Sequence, residues 1–333
     1  MFARYVTFFI SSLMCFAGTI VFQNNWPLAV VSAAMWGITT ALVAMTCTHD
    51  SSHFAITHKP WVWKVVGYLH DSYQGASMFC WIHQHVMGHH PFTNIDGSDP
   101  DIMTAQATSA DIRRIKWSQI WLPRYVYQYI YVPILYCVLG LKTRLQDFII
   151  FYIMRNTSIR LAIPSWSQLA LFFTGKVIHC LFRFGIPFMF MPIWKLVLFN
   201  VIADVVGSYW LALIFQTSHV ISEAEWPTPN KDKFVNMDWA EMQVATTQDY
   251  ATDSWFWNTM TGALNHQTCH HLFPGVIQSH YPKITPIMEQ TCREFGIEYH
   301  YVNTTTEAIA CHINHLKRLG QRREPASLDN KTK

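Results

Sequence analysis

The apolar residues of this chain come in long blocks, unlike the short periodic segments of a soluble domain. Near the N-terminus, residues 5–22 and 28–47 form two uncharged blocks, each close to the roughly 20 residues that a helix needs to cross a bilayer. The break between them is polar and lacks Lys and Arg, whereas Arg4 precedes the pair and Lys59 and Lys64 follow it. By the positive-inside rule, this pattern predicts a helical hairpin with both ends in the cytosol.

A second hairpin is predicted further along the chain. Its first span, 168–190, carries Lys176 and Arg183, and its second span, 196–216, contains Asp204 as its one charged residue. A proline-rich stretch between the two spans is typical of a turn. The two hairpins together predict about four transmembrane helices.

The remaining segments are mixed in character. Residues 121–154 are aromatic but interrupted by prolines and basic residues, which favours interfacial helices over a clean span. From Ser222 onward polar residues predominate, which indicates a cytosolic helical cap. The sequence therefore predicts an all-α integral membrane protein, with one domain over 1–321, a polar tail over 322–333, and both termini in the cytosol.

Composition and charge narrow the class further. Hydrophobic residues make up 51% of the chain and charged residues only 14%, against about 25% in ordinary soluble domains. The formal net charge is +3, and the basic residues form no continuous stripe, which argues against a nucleic-acid partner. The eight cysteines include no C-x-x-C pair, so they are interpreted as reduced thiols and not as disulfides or zinc ligands.

Histidines carry the candidate chemistry. Ten of the seventeen lie in three short clusters and at one isolated position, all on the predicted cytosolic side of the membrane. These are His49 and His53; His83, His85, His89 and His90; His219 by itself; and His266, His270 and His271. The other seven are interpreted as surface, interfacial or supporting side chains: His58, His70, His179, His280, His300, His312 and His315.

The spacing within the clusters suits metal binding. His49 with His53, and likewise the second and third clusters, place imidazoles four residues apart, on one face of a helix. The adjacent pair His89 and His90 points about 100° apart around a helix, so one member can reach a second metal. Polar groups at a membrane edge are costly unless they are paired or metal-bound. The pattern predicts two metal ions at the cytosolic end of the bundle.

The type of metal chemistry follows from what the sequence lacks and where the site lies. No H-E-x-x-H, C-x-x-C-H or paired Glu-x-x-His motif is present, which disfavours a zinc protease, covalent haem and a carboxylate di-iron protein. A site beside apolar helices suggests a lipid tail as substrate, and an unactivated methylene requires a strong oxidant such as iron with dioxygen. The residues alone leave desaturation and hydroxylation both open.

Three histidine boxes in order resemble the membrane fatty acid desaturase family over nearly the whole chain. They are His49-x-x-x-His53, His85-x-x-x-His89-His90 and Gln267-x-x-His270-His271, within the contexts HHPFTN at 89–94, DPD at 99–101, LNHQTCHHLFP at 264–274 and HYPKITPI at 280–287. A glutamine that opens the third box resembles the front-end desaturases, which insert a double bond between an existing one and the carboxyl end. The resemblance implies two iron ions, dioxygen as co-substrate, and a fatty acyl lipid or acyl-coenzyme A substrate in the endoplasmic reticulum membrane.

The resemblance also implies roles for individual residues. The implied iron ligands are His49, His53, His85, His89, His90, His219, His270, His271 and, directly or through water, Gln267. Further candidates, as extra ligands or as acceptors for ligand N–H groups, are His83, His266, Asp50, Asp99, Asp101 and Asp253. The candidate walls of a substrate tunnel are Trp36, Met45, Tyr209, Trp210 and Phe215.

One departure and two rival interpretations accompany this hypothesis. Many front-end desaturases carry a fused cytochrome b5 domain with an H-P-G-G motif, which is missing here, so electrons would come from a separate cytochrome b5 and its NAD(P)H-dependent reductase, or the sequence is partial. A lipid or carotenoid hydroxylase, or a sphingolipid desaturase, uses the same histidine boxes. A membrane metal or haem transport protein is disfavoured, because the first two spans contain no ionisable pathway.

Overall fold

The computed structural model describes residues 1–95, 97–102 and 111–322, and their backbone is mostly helical. In chain order the helices are α1 (Phe2–Val21), α2 (Trp26–Ser52), α3 (Pro60–Leu69, extended by a π-helix His70–Gln74), α4 (Met78–Trp81, extended by a π-helix Ile82–His89), α5 (Gln128–Leu135), α6 (Leu139–Ile153), α7 (Trp166–Phe188), α8 (Ile193–His219), α9 (Trp239–Ala245), α10 (Trp255–Met260), α11 (Gln267–Leu272), α12 (Tyr281–Phe295) and α13 (Thr305–Gly320). Two pairs of short strands, β1 (Arg155–Asn156) with β2 (Ile159–Arg160) and β3 (Asp249–Tyr250) with β4 (Tyr301–Val302), are antiparallel and parallel respectively.

Four of the described helices are long and apolar enough to cross a bilayer: α1, α2, α7 and α8. The prediction of a mostly helical integral membrane protein with about four candidate spans is therefore confirmed. The helices run past the apolar blocks at most of their ends, because residues such as His49 and His219 continue the helical backbone hydrogen bonding after the apolar run stops.

Helices α1, α2 and α8 pack side by side, and glycine sets the closest approach. A Cβ atom on Gly37 of α2 would lie 2.3 Å from the carbonyl oxygen of Ala203, and one on Gly207 of α8 would lie 2.8 Å from the carbonyl oxygen of Gly37. Small residues let two membrane helices make direct backbone contact. From this crossing the same two helices continue to the first histidine box and to His219.

Helices α3 and α4 form a hairpin that turns beside the middle of α7. Its turn contains Gly75 with φ of +77°, a left-handed conformation that favours glycine. Lys176 of α7 donates to the Gly75 carbonyl at 2.6 Å and pairs with Asp147 at 2.5 Å, while Asp147 accepts from the Ser77 amide at 2.7 Å. Ionic side chains thus bond the turn's free backbone groups, which water cannot do inside a bilayer. This accounts for a lysine within the third span.

The segment of α5 and α6, predicted as interfacial helices within 121–154, contacts the middle of α8 instead of its end. The Gly140 amide donates to the Ser208 hydroxyl at 3.0 Å. Arg144 donates two hydrogen bonds to Asp204, which also pairs with Arg183 of α7 at 2.5 Å. Within this segment Arg144 is thus paired with a carboxylate on a neighbouring helix, which offsets the cost of placing a basic side chain beside an apolar span.

Helices α9 to α13 form a compact cap at the histidine-bearing end of the bundle. Its core consists of Val244, Ala263, Cys269, Tyr281, Met288 and Cys292. Helix α13 returns to the bundle, where His312 is hydrogen-bonded on both sides. Its Nε2 bonds to the Tyr136 hydroxyl, and its Nδ1 bonds to the Val220 carbonyl at 2.8 Å. Most of the predicted polar tail, from residue 323 onward, lies outside the described residues.

Candidate metal centre

Eight histidines from four separate helical segments meet at the junction of bundle and cap. All eight are at most 6% exposed. They are His49 and His53 at the end of α2, His85, His89 and His90 in and after the π-helix of α4, His219 at the end of α8, and His270 and His271 in α11.

The eight imidazoles divide into overlapping groups whose nitrogens could share an ion. Within each group the candidate ligand atoms lie within 4.8 Å of one another. One group joins His49, His53, His85 and His270; a second joins His89, His219 and His271; and a third joins His90 with His270 and His271. Two adjacent groups of nitrogen atoms, with His270 and His271 common to more than one group, are the arrangement that two neighbouring metal ions require.

The second box differs from the helix that the spacing argument assumed. Residues 82–89 form a π-helix, in which His90 N–H bonds to the His85 carbonyl five residues back. The Nε2 atoms of His85 and His90 consequently approach to 3.3 Å, and His89 turns toward the other group. The four-residue pair His85 and His89 still falls in one group, together with Asp101, and the wider π turn brings the five-residue pair His85 and His90 onto one face as well.

Outer partners orient five of the rings through Nδ1, which leaves Nε2 free to face the centre. Such partners fix the ring tautomer and its direction. They are Asp101 for His85 (2.8 Å), Asp99 for His89 (2.9 Å), Gln243 for His271 (2.8 Å), Tyr281 for His270 (3.2 Å) and the Thr246 carbonyl for His219 (3.3 Å).

Four of the inward-facing atoms lack a hydrogen-bond partner among the described residues. Nε2 of His53, His270 and His271 and Oε1 of Gln267 are buried and unbonded, an arrangement that is costly unless an ion is bound. The Nε2 atoms of His49 and His85 face each other at 3.2 Å. The donor set therefore fits metal ions.

Electrostatics favour the neutral, ligating form of these rings. Burial, followed by the repulsion of neighbouring histidines, lowers the pKa of His85, His90, His270 and His271 well below the ordinary value. In His89 burial opposes protonation, but the Asp99 carboxylate outweighs it and raises the pKa. Neutral imidazoles offer the lone pairs that a metal needs.

Both additional histidine candidates, His83 and His266, lie outside the cluster. His266 bonds to the Thr285 hydroxyl at 2.8 Å through Nδ1 and to Asn258 at 3.1 Å through Nε2. His83 bonds to the Phe79 carbonyl at 2.8 Å and accepts from the Ala162 amide at 3.0 Å. Both rings use both nitrogens in bonds to the protein, so each supports local structure.

Of the four acidic candidates, two contact the histidine cluster and two do not. Asp99 and Asp101 contact cluster rings, and Asp99 also accepts backbone amides, including that of Asn94 at 2.9 Å. Asp50 is buried but accepts a hydrogen bond from the Tyr5 hydroxyl of α1. Asp253 is exposed in the loop before α10.

A cavity of about 230 Å³ runs from the cluster into the bundle. His49, His89 and His219 lie at one end, and the walls come from α2, α6, α8 and the α3–α4 hairpin, with the ionic side chains Arg144, Arg183 and Asp204 among them. Three predicted tunnel residues line it: Trp36, Met45 and Phe215. The other two do not: Tyr209 packs against the cluster around Val132 and Tyr136, and Trp210 donates to the Met260 carbonyl at 2.9 Å.

Comparison with known proteins decides the family. The family profile described as fatty acid desaturase matches residues 24–303, which is most of the chain. The chain belongs to the fatty acid desaturase family. The histidine boxes and the cavity that ends at them are thus parts of a desaturase domain.

Named relatives agree with the front-end resemblance. The chain is 44% identical over 303 residues to the acyl-lipid (8-3)-desaturase of Mortierella alpina, covering 91% of this chain and 67% of that protein. It is 37% identical to the Delta(5) fatty acid desaturase A of Dictyostelium discoideum, covering 90% and 65%. It is 29% identical to the sn-1 linoleoyl-lipid 6-desaturase of Synechocystis, covering 89% and 82%. The chain spans about two thirds of the length of the first two desaturases.

Several residues of this desaturase domain were not singled out by sequence reasoning. Gln243 bonds to His271 and donates to the His90 carbonyl at 3.1 Å, and the Thr93 hydroxyl also bonds to His271 at 3.1 Å. Trp81 stacks on His85 with ring centroids 4.3 Å apart. Thr93 falls within the HHPFTN motif, which could have identified it, whereas Gln243 belongs to none of the motifs.

Proposed function

We propose that this protein is a front-end fatty acyl desaturase that uses two iron ions, dioxygen and electrons from cytochrome b5. The observation that supports this most directly is a cluster of eight buried imidazoles, three of which (His49, His89 and His219) line a cavity that leads into the helical bundle. The names of the relatives add a position, since they are desaturases described as (8-3) and Delta(5). The corresponding product here carries a new double bond on the carboxyl side of an existing one.

The ligand set divides between two ions. His49, His53 and His85 would hold one, and His89, His219 and His271 would hold the other, with Gln267 beside His219 at 3.0 Å. His90 and His270 lie where the two groups overlap. When bound, reduced iron with dioxygen supplies an oxidant able to take hydrogen from an unactivated methylene.

The protein's own residues position the chain and keep the site dry. Removal of one hydrogen from each of two neighbouring methylenes, together with dioxygen, two electrons and two protons, yields one double bond and two waters. Phe215 and Met45 confine the acyl chain beside the histidines, and Trp81 covers His85. Because the cavity admits the chain along one axis, the contact of each carbon with the histidines is set by its distance from the carboxyl end.

The membrane arrangement belongs to the same proposal. The four spans form two hairpins, so that both chain ends, the cap α9 to α13 and the metal centre face the cytosol of the endoplasmic reticulum. There a separate cytochrome b5 and its NAD(P)H-dependent reductase can reach the site. Residues 1–321 act as a single domain.

Expression in a yeast that makes only simple fatty acids tests the proposal. Polyunsaturated acids are fed one at a time and total lipids are analysed by gas chromatography, with His270→Ala as the blank. A product with one more double bond on the carboxyl side, absent from the blank, is expected. A hydroxylated product would assign the chain to the hydroxylases, and an unchanged lipid profile with cytochrome b5 and reductase supplied would refute the assigned substrate class.

A further inference from the structure

A second cavity lies on the other side of the first histidine box. Its volume is about 380 Å³, larger than that of the cavity at the metal centre. Its lining is almost wholly apolar, and none of the described lining residues is a Lys, Arg, His, Asp or Glu. The main walls are Phe2, Val6 and Phe9 of α1, Val43 of α2, and Val62 and Val66 of α3.

The two cavities begin at the same place. Thr48, next to His49, lines both of them, so the end of α2 is the partition between the two. The second cavity follows α3 from Val62 to Tyr73, a distance of about 16 Å at the helical rise of 1.5 Å per residue. Both cavities therefore run side by side from the metal-centre end into the bundle.

The second cavity opens at an exposed apolar surface formed by α1 and α3. Phe2 is 78% exposed, Leu69 is 40% exposed and Val6 is 37% exposed, although all three line the cavity. An apolar slot with an exposed apolar rim, within the length of two candidate spans, suits a hydrocarbon chain and not a polar ligand.

We propose that the second cavity binds the non-reacting acyl chain of a diacyl glycerolipid whose other chain occupies the metal-centre cavity. This inference rests on the proposed function and defines the acyl carrier. The two chains of such a lipid start from neighbouring carbons and run in the same direction, as the two cavities do. An acyl-coenzyme A has one chain and would leave the second cavity to bulk lipid.

The dimensions agree with this occupant. With C–C bonds of about 1.5 Å and tetrahedral angles, an extended chain advances about 1.25 Å per carbon. A slot of about 16 Å thus covers roughly thirteen carbons of the second chain. The carbonyl ends of both chains then lie near Thr48, where the partition ends.

The test compares carriers with two chains and with one chain. The purified full chain, loaded with iron and supplied with cytochrome b5, reductase and NADH, receives the same labelled acyl group as phosphatidylcholine, lysophosphatidylcholine or acyl-coenzyme A. Val62→Trp fills the second cavity, and Val65→Trp is the matched control, because Val65 is 52% exposed on the same helix and does not line it. Val6→Trp fills the cavity from the opposite wall.

The expected result is a split between substrates. Val62→Trp and Val6→Trp raise the KM for phosphatidylcholine about tenfold, the effect of expelling roughly two methylenes, and change the KM for the single-chain substrates less than twofold. Val65→Trp changes neither. Equal losses on all three carriers, or a wild-type protein that uses acyl-coenzyme A and ignores phosphatidylcholine, would overturn the proposal.

A binding measurement separates this inference from the proposed function. Phosphatidylcholine with a diazirine in its non-reacting chain is irradiated with the protein, and the labelled residues are located by mass spectrometry. Labelling of residues 62–73, competed by unlabelled phosphatidylcholine and lost in Val62→Trp, is expected even in a protein that makes no product. Labelling that is the same in Val62→Trp and Val65→Trp would refute binding in the cavity.

Discussion

The length of the metal-centre cavity predicts a limit on the acyl chain. Helices α2 and α8 touch at Gly37 and Gly207, each twelve residues from the histidine that ends its helix at the metal centre, His49 or His219. At about 1.5 Å per residue this distance is about 18 Å, room for roughly fourteen carbons of an extended chain. If carbon 5 is held at the histidines, as the proposed function implies, acyl chains of up to about twenty carbons fit.

The Leu211→Trp substitution, on α8, shortens the metal-centre cavity. Leu211 lines the cavity eight residues from His219, about 12 Å along the helix, which leaves roughly ten carbons beyond the reacting position. A twenty-carbon substrate then loses the burial of about five methylenes, about 4 kcal/mol at 0.8 kcal/mol each. This is an upper limit of roughly a thousandfold in kcat/KM, and chains of about fifteen carbons or fewer are unaffected.

The assay measures conversion of fed acids of fourteen to twenty-two carbons in yeast, with product identity determined by gas chromatography and mass spectrometry. The expected variant prefers sixteen carbons or fewer, at least tenfold relative to twenty, and places the double bond at the same carbon from the carboxyl end. Leu213→Trp is the matched control, since Leu213 lies on the same helix and outside the lining of the cavity. An unchanged chain-length profile, or a new bond that moves relative to the carboxyl end, would refute the assigned direction of the chain.

Three further outcomes follow from the geometry. His270→Ala is expected to lower the bound iron measured by plasma mass spectrometry, whereas His266→Ala keeps it, because His266 bonds only to protein groups among the described contacts; equal iron in both proteins would contradict the ligand set. Asp99→Asn should weaken iron binding by about 10- to 100-fold in chelator competition, with the exposed Asp253→Asn unchanged. Lys176→Met should destabilise the detergent-solubilised protein by about 3 kcal/mol, because it leaves the buried Asp147 carboxylate without its cationic partner and the Gly75 carbonyl without its side-chain donor; a thermal midpoint equal to that of wild type would exclude this.

The four spans were accessible from the sequence because each is a local property of about twenty consecutive residues. The α3–α4 hairpin was not. Its interior holds His70, Asp71 and Gln74, a sequence typical of a polar surface segment. In the structure, Lys176 and Asp147 bond to the backbone of its turn. Burial of such a segment depends on partners about 70 to 100 residues away, as between Ser77 and Asp147 or Gly75 and Lys176, and composition carries no trace of the pairing.

The tunnel residues show the same division between local and distant information. Trp36 and Met45 of α2 and Phe215 of α8 line the cavity. Tyr209 and Trp210 lie on the same helix as Phe215 but face away from the cavity. An apolar stripe shows that a residue is in a span, but the rotation of that span about its axis is decided by its neighbours.

The sequence by itself determined which residues can bind metal and that they lie at helix ends beside long apolar spans, because ligand type, spacing and hydropathy are written along the chain. Only the tertiary structure decided how the imidazoles divide between two foci, which acids and amides orient them, and that two parallel cavities meet at Thr48. The physical reason is that a metal site and a cavity are both defined by distances between segments far apart in sequence, and those distances arise only when the helices pack.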